Sequence, residues 1–283
     1  MMARYYTPLR YPGGKSKLFW LINEIVDANN FAGGHYIEPY AGGAGVAMEL
    51  LQRDIVSHIH INDLNSGVYS FWYSLLHDTE ALMGKIYDCK LDMPTWYEQR
   101  SIMENYADYD VLDIGFAFFF LNRTNRSGII SAGVIGGYEQ TGNYKIDARF
   151  NKDELISRIT SIAKRKSQIS VYNLDAEKFL SDLDSQAIES GFAYIDPPYY
   201  VKGKRLYDNF YEFEDHFRIG QLISSLKMPW VLSYDDHDEI RKIYSRFRMA
   251  ELDLVYSAAS KVKGQEVIFF SRNISIPDEL GAA

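Results

Sequence analysis

The chain has 283 residues, a length that suits one large domain or a core domain with an insertion. Its only cysteine, Cys89, excludes an internal disulfide and a cysteine-rich zinc site, and no cluster of carboxylates or histidines predicts another metal site. The net charge of −8 argues against a uniformly basic surface for nucleic acid. The longest apolar run, Phe116–Leu121, is far too short to span a bilayer, and the first residues lack the apolar stretch of a signal peptide, so we expect a cytoplasmic protein.

A glycine-rich segment with two lysines, Leu9–Lys17, lies near the N-terminus. It is similar to a phosphate-binding P-loop, but Leu9 stands where that motif requires its first glycine, and no predicted strand precedes it. The pattern therefore disfavours a nucleoside triphosphatase. Tyr11 and Lys15 instead place an aromatic ring and a cation around a glycine turn, where they are candidates for contacting the adenine or carboxylate end of a ligand.

A unit of strand, glycine turn, helix and strand follows. His35–Glu38 is predicted as the first strand, residues 39–45 as the turn, Val46–Leu51 as a helix and Ile55–Ile61 as the second strand. This order is typical of the opening of a nucleotide-binding α/β sheet. The dinucleotide fingerprint is incomplete, because its third glycine would fall at Met48.

The glycine turn and the end of the second strand hold the first candidate ligand contacts. Gly42–Gly45, including Gly43 and Gly45, would let the backbone approach an adenosyl ligand closely. Asp63 follows the second strand and is placed to accept hydrogen bonds from ribose hydroxyls. Its alternative role is that of an acid near the N-terminus of the next helix.

From Ser66 onward, about 100 residues show helical and loop patterns without strands. The predicted helices are Gly67–Tyr87, Thr95–Tyr106 and Val111–Leu121, and Asn151 is predicted to cap a further one. Gly128–Asn143 is rich in glycine and predicts a loop or a short hairpin. We therefore expect an inserted domain of residues 66–167 in a sheet domain made of residues 1–65 and 168–283.

Basic residues are concentrated in this insertion. Residues 120–170 hold nine Lys or Arg and four Asp or Glu, so this segment is positive within an acidic chain. Solvated helix faces explain part of this excess, but a local surface for DNA phosphates also fits it. The candidates for DNA contacts are Arg123, Arg126, Lys145 and Arg149. A second basic group, Lys202–Arg205, follows later in the chain.

Alternation of strands and helices resumes after Gln168. The predicted strands are Ile169–Tyr172, Phe192–Ile195 and Trp230–Ser233, with a helix at Phe213–Leu226 and a terminal hairpin of Glu251–Tyr256 with Glu266–Phe270. Asp175 lies just beyond the first of these strands. It is a candidate for contacting an adenine amine, or it caps the helix that begins near Ala176.

Asp196-Pro197-Pro198-Tyr199 ends the strand Phe192–Ile195 and is the strongest single motif. Open α/β sheets bind ligands beyond the carboxyl ends of their strands. Asp196 and the carbonyl of Pro197 would accept hydrogen bonds from an exocyclic amine of a nucleobase, and Tyr199 would stack on its ring. A simple turn at the end of a strand is the alternative for this motif taken alone.

Five segments together resemble the Dam-type (D12 class, alpha-group) DNA adenine-N6 methyltransferases. They are Leu9–Lys17, Tyr36–Val46, Ile61–Asn65, Asn173–Asp175 and Asp196–Tyr199, in the order that this family has. Phe118–Arg126 also resembles the stretch that opens the recognition half of such enzymes. Two departures are Tyr11-Pro12, where many relatives have Trp-Ala, and Gly128–Gly142, which does not resemble a GATC-reading loop.

The resemblance implies an α/β fold, namely a class I S-adenosylmethionine-dependent methyltransferase sheet, mostly parallel with an antiparallel last strand, carrying a helical recognition insertion. It implies S-adenosylmethionine as methyl donor, no metal, and double-stranded DNA as partner, and it leaves a cognate restriction endonuclease open. The residues that it places at the S-adenosylmethionine site are Tyr11, Lys15, Glu38, Pro39, Gly42–Gly45, Asp63 and Asp196.

Other reactions and a non-catalytic role remain to be weighed. Cytosine-C5 methylation needs a nucleophilic cysteine, and Cys89 does not lie in a suitable Pro-Cys turn. Cytosine-N4 methylation is the nearest alternative, because an Asp-Pro-Pro-Tyr turn serves either amine, although the order of motifs favours adenine. The basic insertion disfavours a protein or RNA methyltransferase. A DNA-binding protein without activity is the alternative from another class.

Overall fold

The computed structural model describes residues 6–10, 18–186, 188, 190–200, 211–258 and 260–277, and these residues contain one seven-stranded sheet. The strands are β1 (His35–Glu38), β2 (His58–Asn62), β3 (Ile169–Tyr172), β4 (Gly191–Ile195), β5 (Trp230–Asp235), β6 (Arg248–Ala258) and β7 (Ser260–Phe270). Their spatial order is β3-β2-β1-β4-β5-β7-β6. The strand order reverses between β1 and β4, so the switch point at which such sheets bind ligands lies at the ends of these two strands.

The pairing confirms the predicted fold class. β1 runs parallel to β2 and β4, β2 to β3, and β4 to β5. The last strand, β7, pairs antiparallel with both β5 and β6, and the predicted hairpin is therefore present with longer strands than the sequence pattern indicated. A mostly parallel sheet with this antiparallel strand is the class I methyltransferase arrangement expected above.

Ten α-helices lie in the described residues. They are α1 (Phe19–Ala28), α2 (Gly45–Gln52), α3 (Ser66–His77), α4 (Thr79–Asp88), α5 (Met93–Glu104), α6 (Val111–Thr124), α7 (Lys152–Ala163), α8 (Ala176–Ser185), α9 (Phe213–Ser225) and α10 (Asp238–Ile243). Apolar side chains of α1, α2 and α3 cover one face of the sheet, while those of α8, α9 and α10 cover the other. Both faces are thus buried, as a parallel sheet requires.

Helices α3 and α6 share a hydrophobic core with the sheet. Phe71 of α3 stacks on Phe119 of α6, with their ring centroids 5.2 Å apart. Both belong to the same buried cluster as Tyr36 of β1 and Leu50 of α2. The single helix predicted for Gly67–Tyr87 is wrong, because the chain forms α3 and α4 with a break at Asp78. The division of the chain at residues 66 and 167 stays a prediction.

The N-terminal segment of residues 6–10 is hydrogen-bonded to α6 and to Asn125, the residue that follows α6. The side chain of Asn122 on α6 accepts a hydrogen bond from the backbone N–H of Arg10 at 2.7 Å and donates one to its carbonyl at 2.5 Å. The Arg10 side chain donates to the carbonyl of Asn125 at 3.1 Å. Asn122 therefore fixes the point from which the glycine-lysine segment continues.

A row of histidines crosses β1 and β2 on the face that carries α8. His35 and His60 are joined by a hydrogen bond of 2.9 Å between their rings, and His58 packs on both. Burial lowers the pKa of His60 to about 3, so its ring is neutral at physiological pH. Among the described residues, no group of three or more His, Cys, Asp or Glu side chains is arranged to hold a metal ion, and none of the helices is long and apolar enough to cross a membrane.

Candidate active site

Acidic side chains collect at the carboxyl edge of the sheet, where β1, β2, β4 and β5 end. Glu38 is the last residue of β1, Asp63 follows β2, Asp196 follows β4 and Asp235 ends β5. Parallel strands bring these ends together at one edge, on both sides of the switch point between β1 and β4. The sheet therefore places Glu38, Asp63 and Asp196, predicted from separate motifs, around one region.

The glycine turn after β1 is held in a left-handed conformation. Gly42 has a φ of +46° and Ala44 a φ of +45°, and the N–H of Ala44 closes the turn on the carbonyl of Ala41 at 2.6 Å. Gly43 lies within this turn and Gly45 begins α2. The turn thus brings the N-terminus of α2 and its backbone N–H groups to the carboxyl edge.

Two side chains from other elements fix the turn at Gly42. Its N–H donates to Asp63 Oδ2 at 2.8 Å, and its carbonyl accepts from the indole N–H of Trp72 at 3.0 Å. Trp72 is fully buried on α3. The turn is therefore clamped between the end of β2 and the first helix after it.

Asp63 is a bridging acid and not the cap of α3. Its Oδ1 accepts from the N–H of Asn65 at 2.9 Å, while Asn65 itself caps α3 through Gly67 and Val68. Burial raises the pKa of Asp63 to about 6, against the lowering effect of the two backbone hydrogen bonds. Burial thus disfavours the ionised form of Asp63, and a cationic or hydroxyl-bearing ligand would stabilise that form.

Asn62, just before Asp63, ties three strand ends together. Its amide N–H groups donate to the carbonyls of Pro39 and Leu174 at 3.0 Å each, and its Oδ1 accepts from the N–H of Leu174 at 2.9 Å. Asn62 is buried. It therefore sets the relative position of Pro39, which was predicted to line the site, and of the segment that leads to Asp175.

Glu38 is buried at the end of β1 with two hydrogen bonds to one oxygen. Its Oε1 accepts from the hydroxyl of Tyr36 at 2.9 Å and from the N–H of Ala47 at 3.2 Å. Burial, with a smaller contribution from the charge of Asp196, raises the pKa of Glu38 to about 8. The side chain is thus predominantly protonated at neutral pH.

Replacing Glu38 with glutamine is expected to stabilise the fold as the pH rises. The folded pKa lies above the unfolded one, so the wild-type protein loses stability between pH of about 4.5 and about 8, and the amide does not titrate. We expect the advantage of Glu38→Gln in unfolding free energy, measured with urea, to grow by about 2 kcal/mol between pH 5 and pH 7. Glu98→Gln, at an exposed position of α5, is the control. Equal responses of Glu38→Gln and wild type would show that Glu38 ionises in its ordinary range.

Asp196 is oriented by the neighbouring strand. Ser233 of β5 donates its hydroxyl to Asp196 Oδ1 at 2.8 Å, and the Ser233 oxygen lies 2.8 Å from the hydroxyl of Tyr194 on β4. Ser233 is completely buried. Pro197, whose carbonyl was predicted to accept from the target amine, follows Asp196 and is also buried.

The rest of the turn that begins at Asp196, which was predicted to be catalytic and is called the catalytic turn below, is held by β5 and β7. The hydroxyl of Tyr199 donates to Glu266 Oε1 at 2.5 Å, and the N–H of Tyr200 donates to Asp235 Oδ1 at 2.8 Å. Asp235 and Glu266 are directly opposite each other in the antiparallel pair. The orientation of the Tyr199 ring is thereby fixed, with 6% of its surface exposed.

Asp175 is the N-cap of α8. Its Oδ1 accepts from the N–H of Glu177 at 2.9 Å, and the residue is exposed. The capping role that the sequence left open is therefore present. A contact with an adenine amine stays a prediction. Tyr11, Lys15 and the basic group Lys202–Arg205 lie outside the described residues.

The basic residues of the insertion fall into two groups. Arg123 is half-buried and donates to the carbonyls of Arg149 at 2.7 Å and Pro8 at 3.4 Å, and Lys145 donates to the carbonyl of Gln140 at 2.5 Å. The side chains of Arg126 and Arg149 are exposed and have no hydrogen bond or ion pair to another described residue. These two are the better placed of the four candidates for contacting an external anion.

Positive charge is concentrated where the N-terminal segment meets α6. Burial, and then the charges of Arg10 and Arg158, lower the pKa of Arg123 to about 9, and Arg149 contributes in the same direction. Arg10 has a lowered pKa from burial and from Arg149. The repulsion among these guanidinium groups creates a local surface that an anion would stabilise.

Four residues with direct contacts to the site were missed as individual positions in the sequence. Asn62, Trp72, Ser233 and Glu266 hold Pro39, Gly42, Asp196 and Tyr199, respectively. Asn62 lies beside a residue that was predicted, but Trp72, Ser233 and Glu266 are distant in sequence from what they hold. Only a buried polar group at the end of a predicted strand, such as Ser233 in Trp230–Ser233, offered a signal.

The sheet order and the acids at its carboxyl edge define a class I methyltransferase. A sequence model of the family "D12 class N6 adenine-specific DNA methyltransferase" matches residues 11–258, and the chain belongs to this family. It is an adenine-specific DNA methyltransferase, as the motifs predicted.

The chain is similar to three known proteins at low sequence identity. The chain is 24% identical over 204 residues to "Type II methyltransferase M.MjaIII" of Methanocaldococcus jannaschii, with 68% of each chain covered. It is 25% identical over 169 residues to a 2-isopropylmalate synthase of Buchnera aphidicola, which covers 53% of this chain but 32% of that protein. A solved structure from Pyrococcus horikoshii, assigned as an RNA methyltransferase, matches 93% of this chain and 85% of its own with 10% identity and a TM-score of 0.44.

Proposed function

We propose that this protein transfers a methyl group from S-adenosylmethionine to N6 of an adenine that has been turned out of double-stranded DNA, at a specific site. The observation that carries this proposal is the position of Asp196 at the end of β4, where it is hydrogen-bonded to Ser233, while the glycine turn that Asp63 holds follows β1, the strand paired with β4. This arrangement supports the approach of an amine and an adenosyl ligand from opposite sides of the switch point.

The chemistry of the side chains fits the methyl donor. Burial raises the pKa of Asp63 only to about 6, so its carboxylate is mostly ionised at neutral pH and is complementary to positive charge and to ribose hydroxyls. Glu38, with a pKa of about 8, is instead a neutral hydrogen-bonding group. Asp63 would accept from the ribose, Pro39, Gly43 and Gly45 would shape the site, and Asp175 would face the adenine. Tyr11 and Lys15 would complete it from the N-terminal segment. When bound, S-adenosylmethionine supplies an electrophilic methyl group on its sulfonium.

The side chains of the catalytic turn would act on the amine of the target base. The nitrogen becomes positively charged as it attacks, because its lone pair leaves the conjugated ring. Asp196 and the carbonyl of Pro197 would accept hydrogen bonds from its protons and stabilise that charge without first removing a proton. Tyr199, with its ring fixed by Glu266, would stack on the base and offset the few kcal/mol that extrusion costs.

The exposed arginines supply a test of the DNA surface. We expect Arg126→Gln with Arg149→Gln to weaken DNA binding and to make the slope of log K against log salt less negative by about 2, because each lost phosphate contact removes the release of about 0.9 counterions. Fluorescence anisotropy with duplex DNA at several salt concentrations measures this. Lys164→Gln with Lys166→Gln removes two exposed charges just after α7 and serves as the control. Equal slopes for both double variants would remove Arg126 and Arg149 from the interface.

The location of the protein, its partner and the roles of the remaining basic residues are part of this proposal. A cytoplasmic location gives access to DNA, and a cognate restriction endonuclease is the partner that site-specific methylation would protect against. Arg123 and Lys145 would position the surrounding backbone while contributing to the positive field, and no metal ion is needed for the transfer described.

A further inference from the structure

The hydroxyl groups of Tyr194 and Ser233 form a directed chain that ends on Asp196. Ser233 has a single hydroxyl proton, and an ionised carboxylate only accepts hydrogen bonds, so Ser233 must donate to Asp196 Oδ1 at 2.8 Å. The Ser233 oxygen must then accept from Tyr194, whose hydroxyl lies 2.8 Å away. The direction of both hydrogen bonds is thus fixed by the charge of the last member.

The geometry of the sheet brings these three side chains together. Tyr194 and Asp196 are two residues apart along β4 and its end, so they lie on the same face. The parallel register pairs Ile195 with Leu232, which places Ser233 of β5 beside Asp196. Tyr194 and Ser233 are 3% and 0% exposed, so water does not compete for either hydrogen bond. A rotation of the Asp196 carboxylate about its Cβ–Cγ bond would break the bond to Ser233.

We propose that Ser233 is a positioning residue of the methyl transfer, with Tyr194 behind it, and that it fixes the orientation in which Asp196 meets the target amine. This inference rests on the function proposed above. Ser233 touches neither the base nor the methyl donor; it acts through Asp196. Alignment of the reacting groups is a large part of such catalysis, and small displacements lower the rate strongly.

The test compares Ser233→Ala with Ser233→Thr and with the substitution of Ser271, a buried serine after β7 that contacts the other end of β5. We expect Ser233→Ala to lower kcat by about 10- to 100-fold while the KM and Kd for S-adenosylmethionine stay within about twofold, because the donor site is left intact. Ser233→Thr retains the hydroxyl and restores kcat to within about fivefold of wild type. Tyr194→Phe leaves the Ser233 hydroxyl free to donate to Asp196, so we expect a smaller loss of kcat than in Ser233→Ala.

Ser271→Ala is the matched control, because the Ser271 hydroxyl accepts from the N–H of Trp230 at the start of β5, 3.1 Å away. It should lose stability and keep kcat. A Ser233→Ala protein that is folded and turns over within twofold of wild type would overturn the proposal. So would equal losses of kcat in Ser233→Ala and Ser271→Ala, or a loss in Ser233→Ala that appears as weaker binding of the methyl donor.

Crystal structures of wild type and Ser233→Ala give a second readout that does not depend on activity. The Asp196 carboxylate is expected to turn away from its wild-type orientation in Ser233→Ala, and an unchanged orientation contradicts the proposal. If wild type methylates no base, the proposed function fails, while the orientation of Asp196 in the two structures still decides the role of Ser233.

Discussion

Replacing Asp196 with asparagine is expected to lower kcat for DNA methylation by about 10²- to 10³-fold, with little change in the affinity for duplex DNA. The amide keeps the shape of the side chain and can still accept the hydrogen bond from Ser233. It lacks the negative charge that stabilises the developing cation on the amine. Single-turnover transfer of labelled methyl groups to duplex DNA measures the effect without interference from product release.

Asp184→Asn is the control for this substitution. Asp184 accepts hydrogen bonds from the N–H groups of Lys227 and Met228 in the same sheet domain, before β4 and β5 rather than at their carboxyl ends. Its variant should therefore turn over at the wild-type rate. An Asp196→Asn protein that binds DNA and also matches wild type in rate would show that Asp196 has no catalytic role. That result would favour a protein that binds DNA without methylating it.

Replacing Asp63 with asparagine is expected to weaken binding of S-adenosylmethionine by at least about 10-fold. Its two carboxylate oxygens accept from Gly42 and Asn65, so an amide must point its NH2 group at one of these N–H donors. A buried donor without an acceptor costs about 1–3 kcal/mol. The glycine turn should shift in consequence, and a contact with the ribose should be lost. Isothermal titration calorimetry measures the change directly.

Asn65→Ser is the control for Asp63→Asn, because serine also caps a helix and the neighbouring acid is untouched. The pH dependence of the affinity for S-adenosylmethionine supplies a second test. Burial raises the pKa of Asp63 to about 6, so the wild-type affinity for the ligand should fall as the pH drops through about 6, and the variant should lack that part of the dependence. A folded Asp63→Asn protein with wild-type affinity would show that Asp63 holds neither the turn nor the ligand.

The strands and their ends were predictable because local pattern and sheet geometry agree. Ile169–Tyr172 was predicted with the bounds that the structure has, and Phe192–Ile195 differs by one residue from β4. Each candidate acid follows an apolar run, and parallel pairing brings such positions to one edge. The break at Asp78 was not predicted, because apolar spacing continues across it from α3 to α4 and the turn residue is only weakly marked.

The support around the site could not be predicted in the same way. The sequence pattern predicts Trp72 as a core residue of a helix. Its hydrogen bond to the carbonyl of Gly42 depends on how α3 packs beside the turn. Glu266 reads as an ordinary strand residue, and only the antiparallel pairing of β7 with β5 carries it to Tyr199. Such contacts depend on tertiary structure rather than on local pattern, which is why motifs identify the reacting groups and miss what holds them.

Mass spectrometry of nucleosides from unmethylated duplex DNA, after incubation with the protein and S-adenosylmethionine, tests the central claim most directly. The account predicts N6-methyladenine and no other methylated base, from a genomic DNA that samples many sequence contexts. N4-methylcytosine in its place would contradict the assignment of the target base. The absence of any methylated base, with folded protein and bound methyl donor, would contradict DNA as the substrate.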